Sequence, residues 1–163
     1  MSRWGVGPKT FVPSFAYTLA AWGATSAWPG VFRLRWLPDV VVTAGVVLTA
    51  AGVVMWLVGA VTVMRAYNRD QLVTSGVFAL VRHPIYAAWI TLIFPGLALL
   101  TRSGPMLLTP WIAYAIFSRL IHREDEYLEQ RFPQAYRDYR RRVNEVIAIR
   151  ASGKENRTTD DKR

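Results

Sequence analysis

The chain has no cysteine and only two histidines among its 163 residues. Without cysteine there can be no disulfide, no thiolate metal site and no cysteine nucleophile. Acidic residues are also scarce, since 11 Asp and Glu stand against 20 Lys and Arg, for a formal net charge of +9. No recognisable nucleic-acid-binding module accompanies this charge, so we expect no nucleic-acid partner. The start of the chain lacks the basic, apolar and small-residue regions of a removable signal peptide, and none is expected.

Uncharged apolar sequence, by contrast, is abundant: 52% of the residues are hydrophobic. They concentrate in four segments, Thr10–Phe32, Val40–Met64, Pro84–Thr101 and Ser103–Ser118. The second segment, at about 1.5 Å per residue, is long enough to cross a hydrocarbon core of about 30 Å. The last two are short and joined by a tight turn, which is typical of a helical hairpin. Kinks are expected at Pro95 in the third segment and at Pro110 in the fourth.

Arginine is distributed unequally around these segments. Four spans would place both ends of the chain on one side, with most of the basic residues, and only Arg33, Arg35 and Arg102 on the other. The positive-inside rule then predicts that both termini are cytoplasmic. The sequence therefore predicts an all-α, multi-pass integral membrane bundle of about four transmembrane helices. Residues 1–150 would form the domain, and residues 151–163 a disordered polar tail.

Three glycines, Gly45, Gly52 and Gly59, recur every seven residues on the second segment. They predict a smooth stripe where another helix approaches closely. Ordinary tolerance of glycine in membrane helices explains the pattern equally well.

The first polar cluster is Arg82-His83-Pro84-Ile85-Tyr86, at the start of the third segment. Ionisable groups at a membrane boundary indicate function. Pro84 suits the first turn of a helix, whose free N–H groups, together with the charge of Arg82, can hold a carboxylate or phosphate. Gly76 permits a tight turn just before the cluster. The alternative is interfacial anchoring, with Arg82 and Tyr86 reaching the head groups.

The second polar cluster contains Glu124 and Asp125, which could accept hydrogen bonds from an ammonium group or from ribose hydroxyls. It lies in a charged helix predicted over Arg119–Arg131. The alternative is a solvated helix face with weak arginine pairs. A further helix is predicted from Pro133, with an apolar stripe suited to an anionic membrane surface. The stripe residues are Tyr136, Tyr139, Val143 and Ile147.

Together the two clusters resemble the isoprenylcysteine carboxyl methyltransferase and phospholipid methyltransferase superfamily. The resemblance covers about Asp70 to Val143 and rests on three motifs. These are Leu72-Val73-Thr74-Ser75-Gly76, Val81-Arg82-His83-Pro84-Ile85-Tyr86, and Glu124-Asp125-x-x-Leu128-x-x-x-Phe132-x-x-x-Tyr136-x-x-Tyr139-x-x-x-Val143. It implies an S-adenosylmethionine pocket on the cytoplasmic side, between the helical hairpin and C-terminal helices that cap it. No glycine-rich dinucleotide fingerprint is present.

The resemblance also implies roles for individual residues. Those expected to bind the cofactor are Gln71, Leu72, Val73, Gly76, Phe78, His83, Pro84, Ile85, Tyr86 and Glu124. The candidate catalytic residues are Arg82, His83 and Tyr86, and His83 would either contact the cofactor or assist deprotonation of an amine acceptor. Because methyl transfer requires mainly positioning and exclusion of water, we expect no metal and no covalent nucleophile.

The sequence departs from the family pattern at three places. Ala87 and Ala88 follow the tyrosine where glycine is usual, and Pro133 replaces the glycine after Phe132. Carboxyl methyltransferases place a substrate-binding arginine four residues before the first glutamate, where this chain has Leu120. The nearest candidates for that role are Arg119 and Arg123.

The predicted function is therefore S-adenosylmethionine-dependent methylation of a lipid or lipidated acceptor at the cytoplasmic membrane interface. Leu120 favours an amine or neutral head group, and a prenylcysteine-type carboxylate is the alternative. Two other classes stay open: a non-catalytic membrane binding or assembly module, and a membrane reductase. The sequence predicts nothing about the oligomeric state.

Overall fold

The apolar segments fold as helices throughout the part of the chain that the computed structural model describes, residues 7–67 and 71–146. The α-helices are α1 (Gly7–Ala27), α2 (Pro29–Phe32), α3 (Val40–Tyr67), α4 (Pro84–Ala87), α5 (Phe94–Thr101), α6 (Thr109–Leu120), α7 (His122–Arg131) and α8 (Pro133–Arg142). Short 3-10 turns cover Gly76–Ala79 and Pro105–Leu108. Within the described residues there is no strand, only an isolated bridge between Arg33 and Ser103. The prediction of an all-α fold is confirmed, whereas the predicted tail lies outside the described residues.

Two of the four predicted spans are long and apolar enough to cross a membrane. They are Val40–Ala66, in α3, and Pro84–Thr101, which runs from α4 to the end of α5. Among the described residues no other helix meets the same requirement of length and hydropathy. The helix α6 has 12 residues, and at about 1.5 Å per residue it would extend only about 18 Å. The four-span topology remains a prediction.

The glycine stripe of α3 does allow a close helix contact, as predicted. A Cβ atom added at Gly45 would lie 2.8 Å from both the carbonyl oxygen of Gly96 and the backbone nitrogen of Leu100. At Gly52 it would lie 2.6 Å from Cγ1 of Ile93. Side chains at these positions would therefore push α3 away from α5 and the turn before it.

Of the two prolines expected to kink a helix, only Pro95 lies beside an irregular turn. The irregularity of the third segment is a π-helical turn over Ala88–Ile93, and Pro95 lies in the first turn of α5. Because Pro95 has no N–H to donate, the hydrogen bonding upstream widens into this turn. The predicted kink at Pro110 is wrong, because Pro110 lies in the first turn of α6, where its missing N–H costs nothing.

The C-terminal helices are shorter than predicted. The expected helix over Arg119–Arg131 is divided at Ile121 into α6 and α7. The next helix does start at Pro133 but ends at Arg142, and Val143 is extended. Helix α8 also differs from the expected surface helix, because Tyr136 and Tyr139 on its apolar face are buried within the protein. Ile147 lies outside the described residues.

Candidate functional site

Asp125, in the first turn of α7, joins the two polar clusters. It is 3% exposed, and three side chains reach its carboxylate. Arg82 donates from Nη1 to Oδ2 over 3.1 Å, and His83 Nε2 lies 3.1 Å from Oδ1. The hydroxyl of Tyr136, from α8, also donates to Oδ1. Two helices, α7 and α8, and the loop before α4 therefore converge on one buried carboxylate.

The chain just after α8 holds the Arg82-His83 loop in place. The backbone N–H of Arg82 donates to the carbonyl of Asn144 (2.8 Å), and that of His83 to the carbonyl of Glu145 (3.0 Å). The side chain of Glu145 also accepts from Nη2 of Arg82 over 2.9 Å. Pro84 then starts α4. Since α8 stops at Arg142, the following residues are free to pair in this extended way.

Asp125 and Arg82 each stabilise the charged form of the other. Burial acts to raise the pKa of Asp125, but hydrogen bonds from His83 and Tyr136 and the charge of Arg82 outweigh it, so the pKa lies well below its usual range. Burial acts to lower the pKa of Arg82, yet the neighbouring carboxylates raise it above its ordinary value. Asp125 is therefore ionised and Arg82 charged at neutral pH.

The ionised state of Asp125 determines where His83 carries a proton. A carboxylate only accepts hydrogen bonds, so Nε2 of His83 must be the donor in this contact. Its other nitrogen, Nδ1, lies 4.0 Å from Oε1 of Glu124. The imidazole is therefore placed between two carboxylates, one buried and one partly exposed, since the side chain of Glu124 is 23% exposed.

Tyr86 lies on the same side as Glu124. Its hydroxyl donates to Oε2 of Glu124 over 3.3 Å. Its ring stacks on Phe11 of α1, with centroids 5.5 Å apart, and contacts Phe117 of α6 at 4.9 Å. Aromatic contacts from two helices thus fix the ring that orients the exposed carboxylate.

The segment before the first cluster forms a separate cleft. Gln71, Leu72 and Val73 line it together with Thr62 and Arg65 of α3, and its volume is about 240 Å³. Gly76 has a φ of +62°, which confirms the predicted tight turn. Phe78 is instead buried beside α8, where its carbonyl accepts from the hydroxyl of Tyr139 over 2.6 Å. Burial raises the pKa of that tyrosine to about 12.

The structure thus brings some predicted site residues together and separates others. Arg82 and His83 both contact Asp125, while Tyr86 bonds to Glu124, whose carboxylate lies 4.0 Å from His83. Pro84 and Ile85 pack toward Gly59 of α3, away from that network. Gln71–Val73 line the separate cleft.

Neither proposed substrate arginine lies in the network. Arg119 and Arg123 are exposed. Leu120 packs against the hydrophobic core formed by α4, α6 and the turn after α4. No group of three or more His, Asp or Glu that could hold a metal ion occurs among the described residues.

The donor set of the cleft fits part of a zwitterionic cofactor with ribose hydroxyls. Arg65 can hold a carboxylate, while Gln71 and Thr62 offer an amide and a hydroxyl. Ligand pockets usually enclose about 300–1,000 Å³, so the cleft alone would hold only part of such a molecule. Glu124, partly exposed at the edge of the other cluster, can accept from a second part.

Three contributors to the site were missed from the sequence. Tyr136 has the spacing of a membrane-facing stripe, and its contact with Asp125 depends on the turn between α7 and α8. Glu145 and the carbonyl of Asn144 carry no sequence signal, because their role depends on where α8 ends. Asp125 was considered with Glu124, but its burial could not be distinguished from that of its neighbour.

The chain is similar to known methyltransferases over its central part. Residues 40–130 match the profile of the isoprenylcysteine carboxyl methyltransferase (ICMT) family. A protein named protein-S-isoprenylcysteine O-methyltransferase from Dictyostelium discoideum is 32% identical over 78 residues, covering 47% of this chain and 33% of that protein. A protein of the same name from Schizosaccharomyces pombe is 35% identical over 83 residues, covering 50% and 35%. The chain thus spans about a third of the length of these curated relatives. No solved structure gives a significant match.

Proposed function

The chain belongs to the isoprenylcysteine carboxyl methyltransferase family, and from this we propose that it is an S-adenosylmethionine-dependent methyltransferase acting at a membrane. The observation that carries the proposal is the contact between the two family motifs at Asp125. The residues that make this contact, Arg82, His83 and Asp125, all lie inside the matched region, and their buried network fixes the relative position of the two motifs.

The residues divide into a supporting set and a set that faces the reaction. Arg82 and Asp125 are buried and engaged with each other, so we assign them to holding the site in shape. His83 and Tyr86 are buried but face Glu124, whose side chain is 23% exposed, so we assign these three to the side that meets the reactants. The cofactor would supply an activated methyl group, and Glu124, Arg65 and Gln71 would hold its polar groups.

We propose a lipidated carboxylate of the prenylcysteine type as the acceptor. The names of both relatives support this choice over the broader class of lipids. Methylation of a carboxylate releases no proton from the acceptor, so His83 would act as a positioning group. The protein would then have to hold the reacting atoms in line and exclude water.

A lipid amine is the second candidate acceptor, and Leu120 favours it. Leu120 occupies the position where the resemblance places the substrate arginine, and it packs into the core. Methylation of an ammonium group requires loss of a proton. His83 Nδ1, on the side of Glu124, is then the atom that would receive it.

We also propose that the cofactor enters from the cytoplasm, near α7 and α8, and that the acceptor enters sideways from the bilayer. The proposed topology keeps four spans, with both termini cytoplasmic. The charged helices α7 and α8 and the Arg82 network would share the cytoplasmic face. The apolar surfaces of α3 and α5 offer a lipid tail a path that a hydrophilic molecule lacks.

A single assay tests the function and separates the acceptors. The full chain is purified in detergent and incubated with methyl-labelled S-adenosylmethionine and either S-farnesylcysteine or a long-chain lipid amine. We expect a base-labile labelled methyl ester from the first. A base-stable labelled amine with no ester would reverse the choice of acceptor. Cofactor binding without transfer to either would favour a non-catalytic module, and turnover only with a nicotinamide cofactor would favour a reductase.

A further inference from the structure

A second, larger cleft lies at the end of α3 remote from the Arg82 network. Its volume is about 530 Å³, and its wall includes Val42 near the start of α3. The Arg82 network lies near the other end of α3, where Pro84 and Ile85 pack against Gly59. At about 1.5 Å per residue, the helix from Val42 to Gly59 separates the cleft from Pro84 and Ile85 by roughly 25 Å. This cleft is therefore independent of the proposed methyl-transfer site.

Two loops are clamped together to form the cleft. The N–H of Leu34 donates to the carbonyl of Arg102 over 2.8 Å, and the N–H of Gly104 to the carbonyl of Phe32 over 3.0 Å. Beneath them, the buried hydroxyls of Thr25 and Ser103 are 2.6 Å apart. The pairing fixes the loop before α3 against the loop after α5, and so places their arginines on one wall.

The backbone of Arg102 is held in an unusual conformation. Its φ is +51°, which makes it the one non-glycine residue with positive φ in the described part of the chain. This conformation ends α5, because the N–H groups of Arg102 and Ser103 bond back to the carbonyls of Leu99 and Ala98, both over 3.1 Å. The turn leaves the carbonyl of Arg102 to accept from Leu34, while its side chain lines the cleft.

The cleft is cationic. Arg33 and Arg102 line it, opposed by Asp39 alone. Asp39 pairs with Nη2 of Arg102, while Nε of Arg102 is buried and has no hydrogen-bond partner among the described residues. Arg33 is exposed, and the hydroxyl-bearing Ser26 also lines the wall. Planar guanidinium groups beside a hydroxyl match the oxygens of a phosphate.

Exposed tryptophans surround this end of the molecule. Trp22 lines the cleft and is 55% exposed, while Trp28 and Trp36 are 62% and 78% exposed. Large aromatic rings with an N–H group favour the level of lipid head groups. Since α3 is apolar enough to cross a membrane, its start should lie at such a level. We propose that this cleft binds the phosphate of an anionic phospholipid head group in the leaflet opposite the Arg82 network.

Native mass spectrometry of the full chain in a neutral detergent tests the proposal. Phosphatidylglycerol is compared with a glucosyl diacylglycerol of the same acyl chains, and inorganic phosphate is added as a competitor. The variants are Arg33→Gln and Arg102→Gln, with Arg35→Gln as the matched control because Arg35 lies in the same loop but does not line the cleft. Helix content by circular dichroism shows whether each variant is folded.

We expect the parent to retain phosphatidylglycerol in preference to the glycolipid. Arg33→Gln should weaken this about tenfold, the usual effect of losing one charge-assisted hydrogen bond, while Arg35→Gln should behave like the parent. The two loops are held together by backbone groups and by Thr25 and Ser103, not by the side chain of Arg33. The Arg33→Gln variant therefore tests lipid binding even if Arg102→Gln fails to fold. Equal retention of both lipids, or equal losses in Arg33→Gln and Arg35→Gln, would overturn the proposal. Displacement of the lipid by millimolar inorganic phosphate would show that free phosphate is the ligand and overturn the assignment to lipid.

Discussion

His83 Nε2 and Asp125 Oδ1 lie 3.1 Å apart although 42 residues separate them in the chain. The contact joins the start of α4 to the start of α7, so that two distant motifs form one site. It also distinguishes the two adjacent carboxylates. The carboxylate of Asp125 is hydrogen-bonded to Arg82, His83 and Tyr136 within the protein. The side chain of Glu124 is 23% exposed, so Glu124 is the carboxylate available to a ligand.

Asp125→Asn should destabilise the protein strongly. The variant leaves the guanidinium of Arg82 buried without its central counter-charge, and the side chains of this pair are only 5% and 4% exposed. Removing one partner of a buried ion pair typically costs about 3–5 kcal/mol. The free energy of unfolding in detergent measures this. Glu126→Gln, one residue further along α7 and exposed, is the matched control and should change it little. Equal effects of the two variants would contradict the central role of Asp125.

The same network predicts a dependence of stability on acid pH. The pKa of Asp125 in the folded protein lies below its usual value, which in an unfolded chain is about 3.9. Its stabilising contribution is therefore fully present above about pH 5, and it is lost as the pH falls below 4 toward the folded value. The stability difference between the parent and Asp125→Asn should shrink over that range. A constant difference down to pH 3 would show that ionisation of Asp125 is not what stabilises the parent.

The glycine stripe gives a second test of the packing. In Gly45→Ala the new methyl group would lie 2.8 Å from backbone atoms of Gly96 and Leu100, and helix backbones cannot yield without moving α5. Such overpacking costs about 1–3 kcal/mol. Gly23→Ala in α1 is the control, because its added methyl group would meet nothing within 4 Å. Thermal unfolding that ranks the two variants equally would refute the close contact between α3 and α5.

The proposed topology is testable by cysteine labelling, since the parent has no cysteine. Single cysteines at Arg35 and Arg123 occupy exposed positions near opposite ends of the bundle. In oriented membranes, a membrane-impermeant reagent should label position 123 from the cytoplasmic side and position 35 from the other. Labelling of both from the same side would eliminate the proposed topology.

Lateral entry of the acceptor predicts that turnover needs a lipid tail. Binding energy from the tail would hold the reacting atom in line, so shortening it should lower kcat as well as affinity. The comparison is S-farnesylcysteine against S-methylcysteine, at matched cofactor concentration. Equal kcat for the two acceptors would exclude a role for the tail in positioning.

The sequence predicted those features that depend on local chemistry. Uncharged apolar runs predicted the helices, and Gly76 predicted a turn that requires positive φ. The spacing of Gly45, Gly52 and Gly59 predicted a face that another helix approaches closely, but it did not identify α5 as that helix. These patterns act through neighbours along one helix or within one turn.

The meeting of the two polar clusters was expected from their resemblance to the family, but the particular side chains that join them were not predicted. Tyr136 has the spacing of an amphipathic surface helix, and only the position of Asp125 shows that it faces inward. After α8 ends at Arg142, Asn144 and Glu145 pair with the loop at Arg82 and His83, a contact that no local pattern indicates. Pro110 was expected to kink a helix, although a proline also suits a first helical turn, and the sequence does not show which of the two applies.

The most direct test of the proposed function is the rate of labelled methyl transfer from S-adenosylmethionine to S-farnesylcysteine by the parent, Glu124→Gln and Glu126→Gln. Glu124 contacts Tyr86 and faces His83, whereas Glu126 is exposed in the same helix. The account predicts a base-labile methyl ester from the parent and Glu126→Gln. It predicts at least about a tenfold lower kcat/KM for Glu124→Gln, as expected for loss of one hydrogen bond to a charged group. Equal kcat/KM for all three proteins, or no transfer by folded parent protein that binds the cofactor, would contradict it.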